Sequence, residues 1–310
     1  MKPADANIAD AATPMTPQDS GGVQRGSVAR LARFFDRHPR LRLASFLSGP
    51  GAWLIVAYLG SLVLMLLTSL YGLNDFTGKV DRSRTTLENY RQVISTNGPY
   101  LAKIVRTIGI AAGVTVIDIV MALPLAFFIA KVLSPRWRRF GIVAVLMPLW
   151  ASYIVKGYAW RTLLDPAGGV FRKTFHVSPG FGQTGLIMLL AYLWLPYMVL
   201  PIVAGLERLP DSLLAASADL GGRNIRTLRS IVLPLLVPAI AAGSIFTFSL
   251  SLGDYIAVGL VGGTTSVIGS VVNSNISTNL PFAAAMAAAS IVVVGAYLTG
   301  ARRLGAFDNL

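Results

Sequence analysis

The chain has 310 residues, of which 54% are hydrophobic and only 13% are charged. A soluble domain carries about 25% charged residues, so this composition excludes an ordinary soluble protein and indicates a polytopic membrane protein. The net charge of +13 does not indicate nucleic-acid binding, because the basic residues lie in short clusters between apolar runs.

Residues 1–45 are predicted to form a cytoplasmic, largely disordered segment that ends in a basic juxtamembrane stretch. Residues 1–26 are rich in Ala, Pro, Asp, Ser and Gly and lack the apolar core of a signal peptide, so no cleavage is expected. The arginines between residues 30 and 42 predict an anchor to anionic headgroups of the inner leaflet.

Residues 46–310 are predicted to form an all-α membrane domain of six helices. Each apolar run is long enough to cross about 30 Å of hydrocarbon. The spans are predicted at residues 53–71, 104–131, 140–164, 184–206, 233–255 and 282–300. Most Lys and Arg residues fall on one side of these spans, so the positive-inside rule places both termini and residues 209–232 in the cytoplasm.

The segments on the opposite, external side differ in character. Residues 72–103 predict a polar loop with one amphipathic helix over 86–94, residues 165–183 are rich in Gly and Pro, and residues 256–281 carry no charge. The glycine-rich stretch 262–270 does not match GxxxxGK[ST], so any ATPase activity would belong to another chain.

Between the fourth and fifth spans lies a polar segment that favours a short helix. Pro210 and Asp211 fit a helix start, and Gly221-Gly222 fits a left-handed helix end. The 3–4 spacing predicts an amphipathic helix over 211–220 with a narrow apolar face, formed by Leu213, Leu214, Ser217 and Leu220. We predict a helix–Gly–helix hairpin over 209–232 that docks into a partner.

The spacing within this hairpin resembles the EAA loop of permease subunits of ATP-driven, binding-protein-dependent importers. Ala215-Ala216-Ser217 is followed after three residues by Gly221, and after nine more by Ile231 and then Leu233-Pro234. The family's Glu is Ala215 here. The resemblance implies a coupling helix that sits in a cleft of an ATPase subunit, with coupling residues Asp211, Leu213, Leu214, Ala215, Ala216, Ser217, Asp219, Leu220, Gly221, Ile231 and Pro234.

Three further phrases resemble the spermidine/putrescine-type permeases, and in particular the first of their two permease partners. They are PLWASYIVKGYAW at 148–160, AYLWLPYMVLPIVAGL at 191–206 and SLSLGDYIAVGLVGG at 249–263. Lys156 stands where the family usually has Arg. Relatives that handle ferric iron, thiamine, opines or aminophosphonates share parts of these phrases, so those solutes stay open as alternatives.

The resemblance implies a type I ABC importer fold in the bacterial inner membrane, without catalytic residues in this chain. The expected partners are a second permease subunit, two ATPase subunits that use ATP and Mg, and a periplasmic solute-binding protein. No cofactor bound by this chain is expected. No metal site is expected either, since cysteine is absent and His38 and His176 lie far from any carboxylate cluster.

Two intramembrane carboxylates are candidates for the translocation path, because such groups are costly unless they are paired or face water. Asp254, followed by Tyr255, could favour a cationic amine; alternatively it pairs with Lys156 or Arg161, or caps the end of the fifth span. Asp118 likewise either faces the translocation path or has a structural role. The remaining path candidates, which an interfacial aromatic belt would explain equally well, are Tyr158 and Trp160.

Two other classes of transporter make different predictions. An ion-coupled secondary transporter would have more spans, an inverted repeat and midplane charge relays; six predicted spans without a visible repeat speak against it. A homo-oligomeric channel would need a pore loop, for which the uncharged segment 256–281 is the candidate.

Overall fold

The computed structural model describes residues 47–74, 78–96, 98–222 and 224–303. The predictions for residues 1–45 lie outside the described residues. The chain forms two compact units, Met1–Val63 and Leu64–Leu310. In the first unit, the described residues belong to an apolar helix whose large side chains, among them Trp53 and Val56, are exposed.

The described chain is mostly helical, as the sequence predicts. In chain order the elements are α1 (Leu47–Ser69), β1 (Tyr71–Leu73), β2 (Val80–Thr85), α2 (Glu88–Ile94), α3 (Pro99–Val132), α4 (Pro135–Trp150), α5 (Tyr153–Leu164), α6 (Val170–Phe175), α7 (Gln183–Glu207), α8 (Asp211–Asp219), α9 (Ile225–Gly253), α10 (Ile256–Val261), α11 (Ile268–Asn275) and α12 (Leu280–Arg303). Among the described residues, α1, α3, α7, α9 and α12 are long and apolar enough to cross a membrane.

The predicted third span, 140–164, is two helices instead of one. α4 and α5 are bent by 91° and together form the sixth candidate span. The break falls at Ala151 and Ser152, whose extended backbones have ψ angles of 141° and 136°. Pro148 weakens the last turn of α4, because its nitrogen cannot donate to the carbonyl one turn earlier.

The external loop predicted over 72–103 also contains a β-hairpin that the sequence did not reveal. β1 pairs antiparallel with β2. The side chain of Asn89 in α2 donates to the carbonyls of Ser69 at 2.9 Å and Tyr71 at 3.0 Å. α2 begins at Glu88, later than predicted, and the Thr86 hydroxyl accepts from the Glu88 amide at 3.1 Å. These bonds fix the hairpin and α2 to the end of α1.

Helix α7 is the centre of the second unit and packs against both α3 and α9. Near its start, a cluster of buried side chains joins it to α3, α5 and α10; near its end, a second cluster joins it to α3 and α9. Between them, α9 approaches α7 so closely that a Cβ added to Gly243 would lie 2.8 Å from the Met198 sulfur. The candidate site residues lie in two regions of the fold, one beside each of these clusters.

The uncharged segment 256–281 is folded. It forms α10, which packs on α5 and α7, and α11, which packs on α12. This arrangement counts against the pore loop that a channel would need.

Candidate functional site

The predicted hairpin is present between α7 and α9. α8 begins at Asp211, as predicted, and ends at Asp219, one residue earlier than predicted. Gly221 has a φ of +72°, which confirms the left-handed turn, and the amide of Gly222 donates to the Ser217 carbonyl at 2.8 Å. The chain therefore reverses within a few residues without strain.

The second helix of the hairpin is fastened to the first by hydroxyl groups. The hydroxyls of Ser217 and Thr227 lie 2.7 Å apart, and Ser217 is buried. A Cβ added to Gly222 would lie 2.6 Å from the Ser217 hydroxyl oxygen, so only glycine fits at that position. Ser217, which stands where the family has its second Ala, thus closes the hairpin. In the sequence, the two hydroxyl residues Ser217 and Thr227 are the features that could have indicated this contact.

The predicted single apolar face of α8 is wrong, because its leucines point in different directions. Leu214 packs on the buried cluster of α3, α7 and α9, whereas Leu213 is exposed and Leu220, beyond the helix end, is 89% exposed. Ile225, which sequence reasoning did not single out, is 78% exposed at the start of α9. We call Leu220 and Ile225 the hairpin tip.

The remaining predicted coupling residues surround these positions. Ala215, Ala216 and Asp219 are exposed on α8, where a partner can reach them. Ile231 lies in a π-helical turn of α9, Leu228–Val232, and Pro234 follows this turn. The wider turn has a simple cause, since Pro234 has no amide hydrogen to donate to the carbonyl of Ser230.

The start of α8 is bonded to the end of α3. The Lys131 ammonium donates to the Leu209 carbonyl at 2.8 Å and to the Asp211 carboxylate at 2.6 Å. Nearby, Arg138 of α4 lies 3.6 Å from Glu207 at the end of α7. The hydrogen bond and charge of Lys131 lower the pKa of the Asp211 carboxyl below its usual value.

At the other end of α9, Asp254 is held by hydrogen bonds and not by a cation. The Tyr153 hydroxyl donates to one carboxylate oxygen, and the amide of Ala257 donates to the other at 2.9 Å. Arg161 donates instead to the Leu260 carbonyl at 2.6 Å. Within the described chain, neither Lys156 nor Arg161 forms an ion pair with Asp254. Its contacts agree with the other structural alternative, a cap at the end of the fifth span.

Aromatic rings extend from Tyr153 across α7 to α9. Tyr153 lies 6.1 Å from Trp194, Trp194 lies 5.9 Å from Tyr197, and Tyr197 stacks on Phe246 at 6.2 Å, all between ring centroids. The Trp194 indole N–H is buried and has no partner among the described residues. We call these four rings the aromatic row; sequence reasoning singled out none of its members, because their elements meet only in the fold.

The other path candidates do not all join Asp254. Tyr255, the next residue, is exposed, and Tyr158 is exposed on α5. Trp160 packs against Tyr192, with ring centroids 5.4 Å apart, in the buried cluster around α7. The structure therefore brings Tyr255 beside Asp254 and turns Trp160 into the bundle.

Asp118 is enclosed by protein. Its exposure is 0%, and neither carboxylate oxygen has a hydrogen-bond partner in the described chain. One turn away on α3, Thr115 lies 3.5 Å from Thr247 of α9, between hydroxyl oxygens. This burial favours a structural position between helices over a place on an open surface. No group of three or more His, Asp or Glu among the described residues could hold a metal ion.

Comparison with known proteins gives concordant results. Residues 106–304 match the family described as binding-protein-dependent transport system inner membrane component. The chain is 41% identical over 306 residues to the inner membrane ABC transporter permease protein YdcU of Escherichia coli K12, covering 92% of this chain and 97% of that one. It is 28% identical over 214 residues to the spermidine/putrescine transport system permease protein PotB of Haemophilus influenzae, covering 65% and 73%.

The fold is also found among solved structures. The crystal structure of a bacterial ABC transporter involved in the import of the acidic polysaccharide alginate matches with a TM-score of 0.68 and 16% identity, covering 88% of this chain and 99% of that one. A second alginate transporter structure, in complex with a pentasaccharide-bound periplasmic protein, matches with the same TM-score of 0.68 and 15% identity, covering 89% and 96%. At these identities the likeness shows the fold.

Proposed function

Since the chain belongs to the inner membrane components of binding-protein-dependent transport systems, we propose that it forms half of the translocation path of an importer for a small cationic amine, such as putrescine or spermidine. The chain is a multi-pass inner-membrane permease subunit of an ABC importer. The proposal concerns its substrate and its partners.

The observation that carries the substrate proposal is the placement of Asp254 beside aromatic rings. Its carboxylate is oriented by Tyr153 and the Ala257 amide, and Tyr153 begins the aromatic row. Amine cations are attracted both to carboxylates and to the faces of aromatic rings. Because Asp254 carries no ion pair in the described chain, its charge remains available to a passing cation.

The relatives support this choice of solute without deciding it. Permeases named for spermidine and putrescine align with 65–69% of the chain. Lys156, one turn from Tyr153 on α5, is the feature that favours an anionic solute such as an aminophosphonate, the second candidate.

For its partners, we propose a second permease subunit, two ATPase subunits that use ATP and Mg, and a periplasmic solute-binding protein. The hairpin tip is apolar and exposed, as a surface that docks into an ATPase cleft would be. Closure of the ATPases on ATP would move α8 as a rigid body and so reorient the bundle. The surfaces of the spans that face no protein partner contact the lipid bilayer.

Two measurements test the proposal. Purification in mild detergent should recover the chain together with an ATPase subunit, and recovery without one would refute the importer assignment. The partner binding protein should bind putrescine or spermidine in preference to ferric iron, thiamine or an aminophosphonate; a preference for the aminophosphonate would replace the substrate class.

A matched pair of variants tests the role of Asp254. Asp254→Asn should lower amine uptake by about 10-fold or more, because hydrogen bonds to charged groups contribute about 1.5–3 kcal/mol. Asp165→Asn is the control, since among the described residues the Asp165 side chain accepts a hydrogen bond only from the nearby Ala167 amide, at 3.0 Å. Equal uptake by both variants would contradict a carboxylate in the path.

A further inference from the structure

The hairpin is joined covalently to α7 and α9, and among the described residues its hydrogen bonds to α3 come from one side chain. Lys131 lies at the end of α3 and is only 11% exposed, although its partner Asp211 is 86% exposed. Its ammonium also reaches the carbonyl of Leu209, which is buried. A single ammonium therefore bonds both the turn before α8 and the first residue of α8.

Packing around the hairpin is incomplete on both sides. A largely apolar cavity of about 610 Å³ separates the end of α3 from α8 and the start of α9, with Phe127, Leu214 and Ile225 among its lining residues. A second cavity of about 420 Å³ lies between the turn at Pro210 and α9. Leu214 packs on the buried cluster that includes α3, but the rest of α8 has open space on either side.

Beneath Lys131 the three helices are packed tightly. Ile129 of α3, Leu206 of α7 and Val232 of α9 belong to one buried cluster. Lys131 itself lies in a π-helical turn, Phe128–Val132, and a π-helical turn of α9, Leu228–Val232, lies near the start of that helix. The ammonium thus bonds α8 just above a joint at which α3, α7 and α9 meet.

We propose that Lys131 is a positioning residue that transmits movement of α8 to α3, so that the second span moves with the hairpin. This rests on the proposed function, in which ATPase subunits drive α8. When α8 shifts, the bonds to Leu209 and Asp211 pull the end of α3 in the same direction. Without them, α8 can move across the cavity while α3 stays behind, and ATP is hydrolysed without completed transport.

The first experiment measures solute imported per ATP hydrolysed by the complete transporter in proteoliposomes. Lys131→Met should lower this ratio by about 5-fold or more, the lower end of typical coupling between sites. The separate variant Lys131→Arg should keep the wild-type ratio, because a guanidinium can donate to both acceptors. Arg139→Met is the control, since Arg139 is an exposed cation eight residues after Lys131.

The outcomes separate the two proposals. A wild-type ratio in Lys131→Met, or an equal loss in Arg139→Met, would overturn the role of Lys131. A wild-type complex in which uptake and hydrolysis are unlinked would overturn the proposed function instead.

A second experiment tests the tether without transport. The chain has no cysteine, so Ser134→Cys and Ser212→Cys provide two unique positions for spin labels, one after α3 and one in α8. The distance distribution should be narrow in the full-length chain and broaden when Lys131→Met is added, and narrow again with Lys131→Arg. An unchanged distribution in Lys131→Met would refute the tether.

Discussion

The hairpin tip gives the sharpest prediction, because its residues are exposed and contribute little to folding. Leu220 is 89% exposed and follows the end of α8, next to the left-handed turn at Gly221. Truncating it to Ala leaves no cavity within the chain. Any loss of function in Leu220→Ala must therefore come from a surface contact that the isolated chain does not make.

The size of the loss follows from the area of the side chain. Full burial of a Leu side chain stabilises by about 1.5–3 kcal/mol, and an almost fully exposed Leu220 has nearly all of this to gain on docking. Its removal should weaken binding of the ATPase subunit by about 10-fold to about 150-fold. The upper value applies only if the cleft encloses the whole side chain.

The assay is binding of the purified ATPase subunit to the permease in nanodiscs, with thermal unfolding of the permease measured in parallel. Leu87→Ala is the control, since Leu87 is 64% exposed in the segment predicted to be external. The affinity should fall in Leu220→Ala and stay unchanged in Leu87→Ala, with both melting temperatures near wild type. Equal affinity in the two variants would refute the docking of the tip.

Three further predictions concern the hairpin itself. Gly221→Ala should cost about 1–3 kcal/mol locally, since its φ of +72° disfavours residues with a Cβ, and Gly221→Asn less; hydrogen exchange of the hairpin amides measures both. Ser217→Ala should increase exchange of the same amides by about 5-fold, because one hydroxyl bond contributes about 1 kcal/mol; no increase would mean that this bond does not close the hairpin. Because Lys131 lowers the pKa of the Asp211 carboxyl, their ion pair persists above the usual pKa of 3.8 and is lost only as the pH falls below it. The transport-to-hydrolysis ratio should therefore be constant from about pH 5 to about pH 8. A change of this ratio with a midpoint near pH 6 would contradict the role of the ion pair.

Local patterns in the sequence were sufficient to predict the spans and the hairpin. An apolar run marks a membrane helix wherever it is long and uncharged, and the structure places helices over each predicted run. The turn at Gly221 was predictable because few residues adopt a positive φ. The bend between α4 and α5 was not predictable, since neither Ala151 nor Ser152 has a conformational preference that marks an extended backbone within an apolar run.

Contacts between distant residues lay beyond any local pattern. Lys131 and Asp211 are 80 positions apart, and Tyr153 and Asp254 are 101 positions apart. The sequence indicated three of these residues separately, Lys131 as a cation, Asp211 as a helix start and Asp254 as an intramembrane carboxylate, and it did not single out Tyr153. Which charge meets which partner is decided by how α7 brings α3, α5 and α9 together, and no spacing rule contains that information.

Ala215 is the position at which this hairpin departs most from the family pattern, and it can be tested by restoring the glutamate. Ala215 is exposed on α8, whereas the carboxylate that the first turn does carry, Asp211, is bonded to Lys131 within the chain. In the proposed docking, Asp219 is an exposed carboxylate of α8 that a partner can reach, and the hairpin tip provides the apolar contact. Ala215→Glu should add an exposed ion pair with the ATPase subunit, worth about 0.2–1 kcal/mol.

The gain has a distinguishing property, because exposed ion pairs are screened by salt. Affinity should rise up to about 5-fold at about 0.01 M salt, and the gain should vanish near 1 M. The apolar contact of Leu220 should persist at both concentrations. If Ala215→Glu has no effect at low salt while Leu220→Ala weakens binding, Ala215 and Leu220 do not face the same partner, and the resemblance to the EAA loop extends to spacing but not to orientation.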